Sequence, residues 1–332
     1  MLMGYEKRQL VKIVEEICEE NHLKLTSYSD DWILQIKARG KPDCLVFGYK
    51  FPNNNAASSK LCDDKSALSA ILESKKIPCV PHIYFEGPKS PMVDDEGIYG
   101  KLFDMFDRYG GLVCKTNSGS GGNSVFLCKT KKQLESATFD ILRSSRSMAV
   151  SPKIDIKNEY RIIVENNRAL LVYSKERPHI IGDGKSTIGD LMKNIDKVDK
   201  NDEMPNIDYD SVPALGEKVT VAWKHNLGQG SLPILINDEN EIYKLSKFAL
   251  RSAKALGLQF ASIDVVRDNN NNYMILEINS GVMMERFSKL GEDYYKTAKH
   301  IYERAIYDFW GSKRRFKKNI YEQISDEILK GE

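Results

Sequence analysis

The feature that most constrains the fold is a pair of apolar runs separated by an asparagine cluster, "FASIDVVRDNNNNYMILEINS", at residues 260–280. Both runs are rich in β-branched and aromatic residues, and the segment from Asp268 to Asn272 has the composition of a turn. The sequence therefore predicts an antiparallel hairpin. With the turn centred near residue 270 or 271, Asp264 faces Glu277 on the partner strand.

This hairpin predicts a metal site. Glu277 and Asn279 are two residues apart, so they project from the same face of their strand, beside Asp264. Opposed carboxylates repel each other, and burying them unpaired is costly, but a divalent cation removes the conflict. Mg²⁺ suits one or two carboxylates together with substrate phosphates. The alternative is a solvated hairpin face on which water screens the carboxylates.

A second feature is the glycine-rich stretch "LVCKTNSGSGGNSVF" at residues 112–126. Lys115 precedes the glycines and strand-forming residues follow them, whereas a P-loop places its lysine after the glycines and a dinucleotide fingerprint opens a helix. The pattern favours a glycine-rich hairpin whose backbone N–H groups cover phosphates. Protein kinases use such a loop, but no HRD or DFG follows here. A flexible linker is the alternative.

Composition excludes several classes of protein. The 332 residues exceed one ordinary domain, and 49 Lys and Arg against 47 Asp and Glu leave a net charge of +2, too near neutral for nucleic acid as the main partner. Six cysteines without a CxxC pair predict reduced, mostly buried thiols. The charged start of the chain is unlike a signal peptide, and no apolar run is long enough to span a membrane, so we expect a cytoplasmic protein.

Periodicity gives a coarse order of elements. We expect an amphipathic helix over residues 5–22, two short strands in "WILQIKA" and "CLVFGY", a polar loop over 53–59, and a helix "KSALSAILESKK" capped by Asp63 or Asp64. From Lys101 the expected order is strand, glycine-rich loop, strand and helix. A hairpin turning at residues 165–167 follows, then a charged, solvated insertion over 193–209 and a helix over 244–257.

A lysine before a glycine-rich hairpin, followed by a distant D…ExN hairpin, resembles the ATP-grasp superfamily. Its carboxylate-amine ligases are the most similar, in the cyanophycin synthetase-like and ribosomal-protein glutamate ligase-like branch. Further matching segments, all between about residues 60 and 300, are "DDKSALSAILESKKIPCVP", "NEYRIIVENN", "KERPHIIGDGKSTIGDL", "KHNLGQGS" and "IDVV…LEIN".

The resemblance implies a mixed α/β (α+β) protein with the ATP-grasp fold, in which two α+β subdomains grip ATP. We expect a small α/β N-terminal domain over residues 1–80, a small subdomain with the glycine-rich loop over 81–150 and a large subdomain with the Mg²⁺ site over 151–311. A basic C-terminal tail would follow over 312–332.

The resemblance also implies roles for individual residues in binding ATP and Mg²⁺. Lys65 and Lys115 resemble the two family lysines that bind ATP phosphates, and Asp264, Glu277 and Asn279 match the ligands of Mg²⁺, with two ions expected. The flexible loop over the phosphates would comprise Ser118, Gly119, Ser120, Gly121, Gly122, Asn123 and Ser124. The strand beside adenine would include Ser151 and Lys153, where the family often has a glutamate and this chain has Ser151 and Pro152.

Five further residues match positions near the reacting groups. Arg161 and Arg177 match cations near the γ-phosphate, although Arg161 could instead pair with Glu159 or Glu165. In "KHNLGQGS", Asn226 matches a loop beside the phosphates, and Lys224 stands near the place of the family's usual arginine. His225, beside them, is expected to be a structural hydrogen-bonding residue. Arg286 is a candidate clamp for a substrate carboxylate, or a surface arginine.

The activity implied is ATP-dependent amide bond formation. The γ-phosphoryl group passes to a carboxylate, and an amine attacks the acylphosphate, releasing phosphate. The expected partners are small-molecule, amino-acid or peptide substrates, with no nucleic acid and no membrane, and a homodimer is compatible with the sequence. Two alternatives stay open: an ATP-grasp kinase that phosphorylates a hydroxyl, and an ATP-binding regulatory module without turnover.

Overall fold

The computed structural model describes residues 6–87, 97–119, 124–195, 204, 207–312 and 314–331. Its N-terminal part is a helix on a three-stranded antiparallel sheet, followed by two helices. These elements are α1 (Gln9–Glu20), β1 (Lys24–Tyr28), β2 (Ile33–Lys37), β3 (Cys44–Phe47), α2 (Ala56–Leu61) and α3 (Lys65–Ser74). The loop is shorter than the expected range of 53–59, because α2 already begins at Ala56. Asn55 caps this helix by accepting a hydrogen bond from the Ser58 backbone N–H.

The second part is a four-stranded antiparallel sheet, in the order β4-β7-β5-β6, with two helices packed on one face. Its elements are β4 (Ile83–Glu86), α4 (Gly97–Tyr109), β5 (Leu112–Thr116), β6 (Val125–Cys128), α5 (Lys131–Ser144) and β7 (Ser147–Pro152). The prediction that a strand starts at Lys101 is wrong. Lys101 lies in α4, whose Leu102 is buried, and the strand begins only at Leu112.

The third part is built on a five-stranded antiparallel sheet in the order β12-β9-β8-β13-β14. Its strands are β8 (Ile156–Glu165), β9 (Arg168–Glu176), β12 (Leu232–Leu235), β13 (Phe260–Asp268) and β14 (Tyr273–Asn279). Between β9 and β12, β10 (His179–Ile181), α6 (Ile188–Met192) and β11 (Lys218–Thr220) form a small lobe. Helices α7 (Glu239–Ala255), α8 (Glu292–Phe309) and α9 (Ile320–Lys330) complete this part.

The predicted hairpin is β13 and β14, and Asp264 lies directly opposite Glu277, as expected. Ser262 lies opposite Asn279 in the same register. A β-bulge follows immediately, because Val265 pairs with Ile275 and leaves Leu276 without an opposite residue. The bulge lies on the turn side of Asp264, so the predicted pairing survives it.

The two faces of the five-stranded sheet differ in chemistry. One face is apolar and belongs to the main hydrophobic core, which also includes residues of α1, α7, α8 and α9. The other face contributes to the same core at one end, where Phe260 lies opposite Glu165 and packs against Phe51. Around Asp264, successive strands of this face carry ionisable side chains. The core anchors the sheet, and the ionisable part of this face is left for function.

The segment expected to be a basic tail packs against the protein. Tyr321, Ile324 and Ile328 of α9 are buried in the main core, at helical spacing. Arg304 of α8 lies between two buried carboxylates. It donates to Glu165 Oε2 at 2.9 Å and also pairs with Glu322 of α9. Residues 314–331 are thus tied to the sheet.

No helix in the described ranges is long and apolar enough to cross a membrane. All six cysteines are free thiols, and all but the half-buried Cys79 are buried, as the sequence predicted.

We expect Arg304→Met to destabilise the fold by about 3–5 kcal/mol, because it leaves Glu165 and Glu322 buried without their cation. Denaturant unfolding measures the change. Lys296→Met is the matched control, since Lys296 lies on the same helix in an exposed pair with Glu292. Equal unfolding midpoints for the two variants would contradict the role given to Arg304.

Candidate active site

Five ionisable side chains from four adjacent strands form what we call the charged face of the five-stranded sheet. They are Glu159 and Arg161 of β8, Lys175 of β9, Asp264 of β13 and Glu277 of β14. Arg161 lies opposite Asp264 in the β8–β13 pairing, and Asp264 lies opposite Glu277 in the β13–β14 pairing. The register of the strands therefore places Asp264 between the Arg161 cation and the Glu277 carboxylate.

Asp264 is the centre of this face. Its side chain is almost fully buried, Arg161 donates to both of its oxygens at 2.7 and 2.8 Å, and Lys175 Nζ donates to Oδ2 at 2.7 Å. Burial raises the pKa of Asp264, but Arg161 and Lys175 outweigh it and hold the pKa below its ordinary value. The carboxylate is therefore ionised.

Lys175 is a site residue that sequence reasoning missed. Its Nζ bridges Asp264 and Glu159, at 2.7 and 2.6 Å. Burial lowers the pKa of Lys175, as does Arg161, but the two carboxylates outweigh them and raise it. Burial also raises the pKa of Glu159. The available signal was the alternation of side chains along a strand. Lys175 is two residues from Tyr173, which lies opposite Arg161, so Lys175 projects from the same face as Arg161.

The metal-ligand hypothesis fits the oxygens that remain. A carboxylate has about four lone-pair sites, and the three hydrogen bonds to Asp264 leave one on Oδ1. Within the described ranges, no side chain forms a hydrogen bond or ion pair with the Glu277 carboxylate or the Asn279 side chain. No three His, Cys, Asp or Glu side chains cluster as metal ligands in that part of the chain. The candidate set is thus two carboxylates and one amide.

Two lysines from other elements approach this carboxylate set. Lys115 projects from β5 of the four-stranded sheet, Lys65 begins α3, and both are buried. Burial lowers the pKa of Lys115 to about 8, with Lys65 lowering it further and Glu277 and Glu159 opposing the change. The charges of the two sheets thus act on one another across a single cleft.

His82, just before β4, is a second residue that the sequence did not indicate. One cavity is lined by Lys65, His82 and Glu277 together. Burial and the two lysines, Lys115 and Lys65, hold the pKa of His82 well below its usual range, so the imidazole is neutral. Its Nε2 is buried without a hydrogen-bond partner among the described residues. A buried polar atom without a partner requires an explanation, and a bound ligand or water would supply one here.

The glycine-rich loop is described only at its ends. Lys65 Nζ donates to Gly119 O at 2.8 Å, so one candidate phosphate ligand also holds the start of the loop. Ser118 lies beside Gly119. Ser120, Gly121, Gly122 and Asn123 lie outside the described residues. Gly119 has φ of +131°, a conformation that glycine adopts without strain.

The candidate adenine strand is β7. Ser151 is buried and lies opposite Val113 of β5, on the same face of the four-stranded sheet as Lys115. Lys153 is exposed, and its side chain pairs with Asp155 at 2.7 Å. The structure therefore places Ser151 on the face that carries Lys115, whereas Lys153 is held at the surface.

Arg177 lies past the end of β9, and its Nη2 donates to the Ile156 carbonyl at 2.9 Å. Its Nε is buried without a partner in the part of the chain that the structure describes. His225 Nδ1 lies 3.5 Å from Glu159 Oε2, and burial, with Arg177 and Lys175, lowers the pKa of His225 to about 3. The imidazole is therefore neutral, which fits the structural role expected for it.

The remaining predicted residues meet at one turn. The Asn226 side chain accepts from the Gly228 backbone N–H and donates to Gln229, both at 2.8 Å. Arg286 Nη2 donates to the Gly228 carbonyl at 3.2 Å. Lys224 Nζ lies 5.4 Å from the centroid of the Trp223 ring.

Arg161 pairs with Asp264. The sequence had left open a pair with Glu159 or Glu165 instead, and the structure shows neither of these among its described residues.

Comparison with known proteins gives distant sequence matches. A family model described as the RimK-like ATP-grasp domain matches residues 212–299. Cyanophycin synthetase from Trichormus variabilis is 24% identical over 229 residues, covering 62% of this chain and 24% of that protein. The glutathione biosynthesis bifunctional protein GshAB of Clostridium perfringens is 29% identical over 252 residues, covering 67% and 32%. The chain thus spans about a quarter to a third of the length of these relatives.

Solved structures show the fold. A bifunctional glutathione synthetase from Pasteurella multocida superposes with a TM-score of 0.55 and 16% identity, covering 90% of this chain and 44% of that one. D-alanine–D-alanine ligase from Bacillus anthracis gives a TM-score of 0.51 and 18% identity, covering 77% and 71%. The chain thus has the ATP-grasp fold, its residues 212–299 match the RimK-like ATP-grasp domain, and its sequence is distantly similar to the ATP-grasp ligases cyanophycin synthetase and GshAB.

Proposed function

We propose that this protein is an ATP-dependent carboxylate-amine ligase that forms an amide bond through an acylphosphate. The observation that carries the proposal is the opposition of charges across the cleft. Two buried lysines of α3 and β5 face the carboxylates of the β13–β14 hairpin, and Lys115 and Glu277 influence each other electrostatically. A magnesium–triphosphate complex complements both sides, since its phosphates suit the lysines and its cation suits the carboxylates.

Each side chain then has a role in holding ATP and Mg²⁺. Lys65 and Lys115 would bind phosphate oxygens, with the glycine-rich loop from Ser118 onward covering them, and Ser151 would lie beside adenine. Asp264, Glu277 and Asn279 would hold Mg²⁺, two ions being the family's usual number. When bound, Mg²⁺ neutralises phosphate charge and polarises the transferred group.

The protein's own residues orient the reactants. Arg161 and Lys175 fix the Asp264 carboxylate, and Arg161 adds positive charge beside the site of phosphoryl transfer. Arg286, which donates to the Gly228 carbonyl in the turn after Asn226, would bind a substrate carboxylate through its guanidinium. Phosphoryl transfer depends on positioning and charge neutralisation, so no protein nucleophile is required.

The names of the relatives support the proposal. Cyanophycin synthetase, glutathione synthetase and D-alanine–D-alanine ligase are all named as enzymes that join molecules. For this chain we infer amino-acid, peptide or other small-molecule substrates, one supplying a carboxylate and one an amine.

The direct test is phosphate release from Mg-ATP in the presence of pooled amino acids and dipeptides, with mass spectrometry of the products. The proposal predicts substrate-dependent phosphate and a product heavier by the amine minus water. ADP with a stable phosphoester would instead identify a kinase. ATP binding without turnover, across pools extended to other carboxylates and amines, would identify a regulatory module.

We expect Glu277→Gln to reduce turnover by roughly 100-fold or more while leaving the fold intact, because the amide keeps the shape but loses the charge that binds the metal. Steady-state phosphate release and circular dichroism measure the two effects. Glu239→Gln, an exposed glutamate at the start of α7, is the control. Near-normal turnover in Glu277→Gln would refute the metal assignment.

We expect ATP binding to take up protons near pH 8. The free Lys115 amine, with a pKa of about 8, is half neutral there, and the bound phosphates favour its charged form. ATP affinity should therefore fall as pH rises through 8. Calorimetry in buffers of different ionisation enthalpy measures the uptake. In Lys115→Arg, binding should occur without uptake, because the guanidinium stays protonated. Wild-type binding without uptake would contradict the assignment.

A further inference from the structure

We propose that the outward face of the N-terminal three-stranded sheet is the interface of a homodimer. Four large side chains on or beside this face are strongly exposed: Tyr28 by 48%, Trp32 by 42%, Leu45 by 51% and Phe47 by 58%. Scattered single apolar residues are normal on protein surfaces, but a contiguous apolar patch indicates an interaction site.

The register of the strands makes this patch contiguous. Tyr28, Ile33 and Phe47 lie side by side in one row across β1, β2 and β3. The next row on the same face is Thr26, Gln35 and Leu45. The residues between these rows, including Leu34 and Val46, point the other way and are buried in the main core. The outward residues are therefore not a displaced part of that core.

Three polar side chains of this face, those of Tyr28, Gln35 and Lys37, already have partners. The Tyr28 hydroxyl donates to Gln35 Oε1 at 2.8 Å, and Gln35 Nε2 donates to Asp43 Oδ2 at 2.7 Å. Lys37 Nζ lies 3.6 Å from the same Asp43 oxygen. Covering the face would therefore exclude water without leaving these groups unsatisfied, which is the condition for a low-cost interface.

The largest aromatic side chain is also held rigidly. The Arg8 guanidinium lies 4.8 Å from the Trp32 ring centroid, and the Phe47 ring packs edge-on at 6.3 Å. A Cβ at Gly48 would lie 2.8 Å from the Trp32 ring, so the glycine is required for this packing. Fixed aromatic side chains lose little entropy on binding and are common energetic centres of interfaces.

The charges at the two ends of the patch favour a second copy of this chain as the occupant. Lys24 lies at one end of β1, opposite Lys37, and Asp30 lies in the turn beyond the other end. The four-residue rise from Lys24 to Tyr28 is about 13 Å, and Asp30 lies beyond Tyr28. In a two-fold dimer whose axis lies in the interface at right angles to the strands, the same patch meets itself with its strands reversed. Lys24 of each copy would then meet Asp30 of the other, whereas Lys37 already pairs with Asp43 of its own chain.

The first test is the mass of the full chain in solution, by sedimentation equilibrium over a range of concentrations. We expect the wild type to be dimeric, and Phe47→Glu to be monomeric with an unchanged circular dichroism spectrum. Phe139→Glu is the matched control and should stay dimeric, because Phe139 is 62% exposed on α5, outside the patch. A wild-type monomer, or a dimeric Phe47→Glu, would overturn the proposal.

A charge exchange tests the orientation. We expect Lys24→Glu and Asp30→Lys each to weaken the dimer, because each variant places like charges at both ends of the interface. Mixed together, the two variants should recover a heterodimer, since opposite charges then meet at both ends. If the variants dimerise alone as well as the wild type does, or if mixing fails to restore association, the two-fold arrangement is wrong.

Discussion

The ion pairs around Asp264 are the interaction on which the rest of the site depends. Arg161 and Lys175 hold this carboxylate from two other strands, so the network joins β8, β9 and β13 across the charged face. Glu159 is the fourth member of the network. With both carboxylates ionised, the two cations and two anions sum to zero charge, which reduces the cost of burying them. Removing one member would leave a buried charge without its partner.

This neutral network leaves the neighbouring charges uncompensated. Beyond it lie Glu277 on one side of the cleft and the two buried lysines on the other. Burial, together with a smaller repulsion from Lys65, lowers the pKa of Lys115 to about 8, so the charged form of this lysine is disfavoured in the free protein. A polyphosphate with its cation compensates these charges, so the same arrangement that costs stability in the free protein favours nucleotide binding.

Sequence reasoning could locate the hairpin because its turn composition fixes the register of Asp264 and Glu277. It selected Arg177 but missed Lys175. The two residues are two positions apart, so alternation along a strand gives them the same face, and the sequence does not show that β9 ends at Glu176, between them. His82 could not be found either, since its environment is formed by segments distant in sequence: its backbone N–H donates to Ser69 Oγ of α3, and its cavity is also lined by Glu277 of β14. The basic run at 312–318 obscured the helical spacing of Tyr321, Ile324 and Ile328, which packs the C-terminal segment on the core.

The most direct test of the central claim is a crystal structure with a non-hydrolysable ATP analogue and Mn²⁺, with the metal located by anomalous scattering. The account predicts a metal peak bounded by Asp264, Glu277 and Asn279, and phosphate oxygens within hydrogen-bonding distance of Lys65 and Lys115. A triphosphate bound outside this cleft, or a metal bound to other side chains while Asp264 and Glu277 contact none, would contradict it.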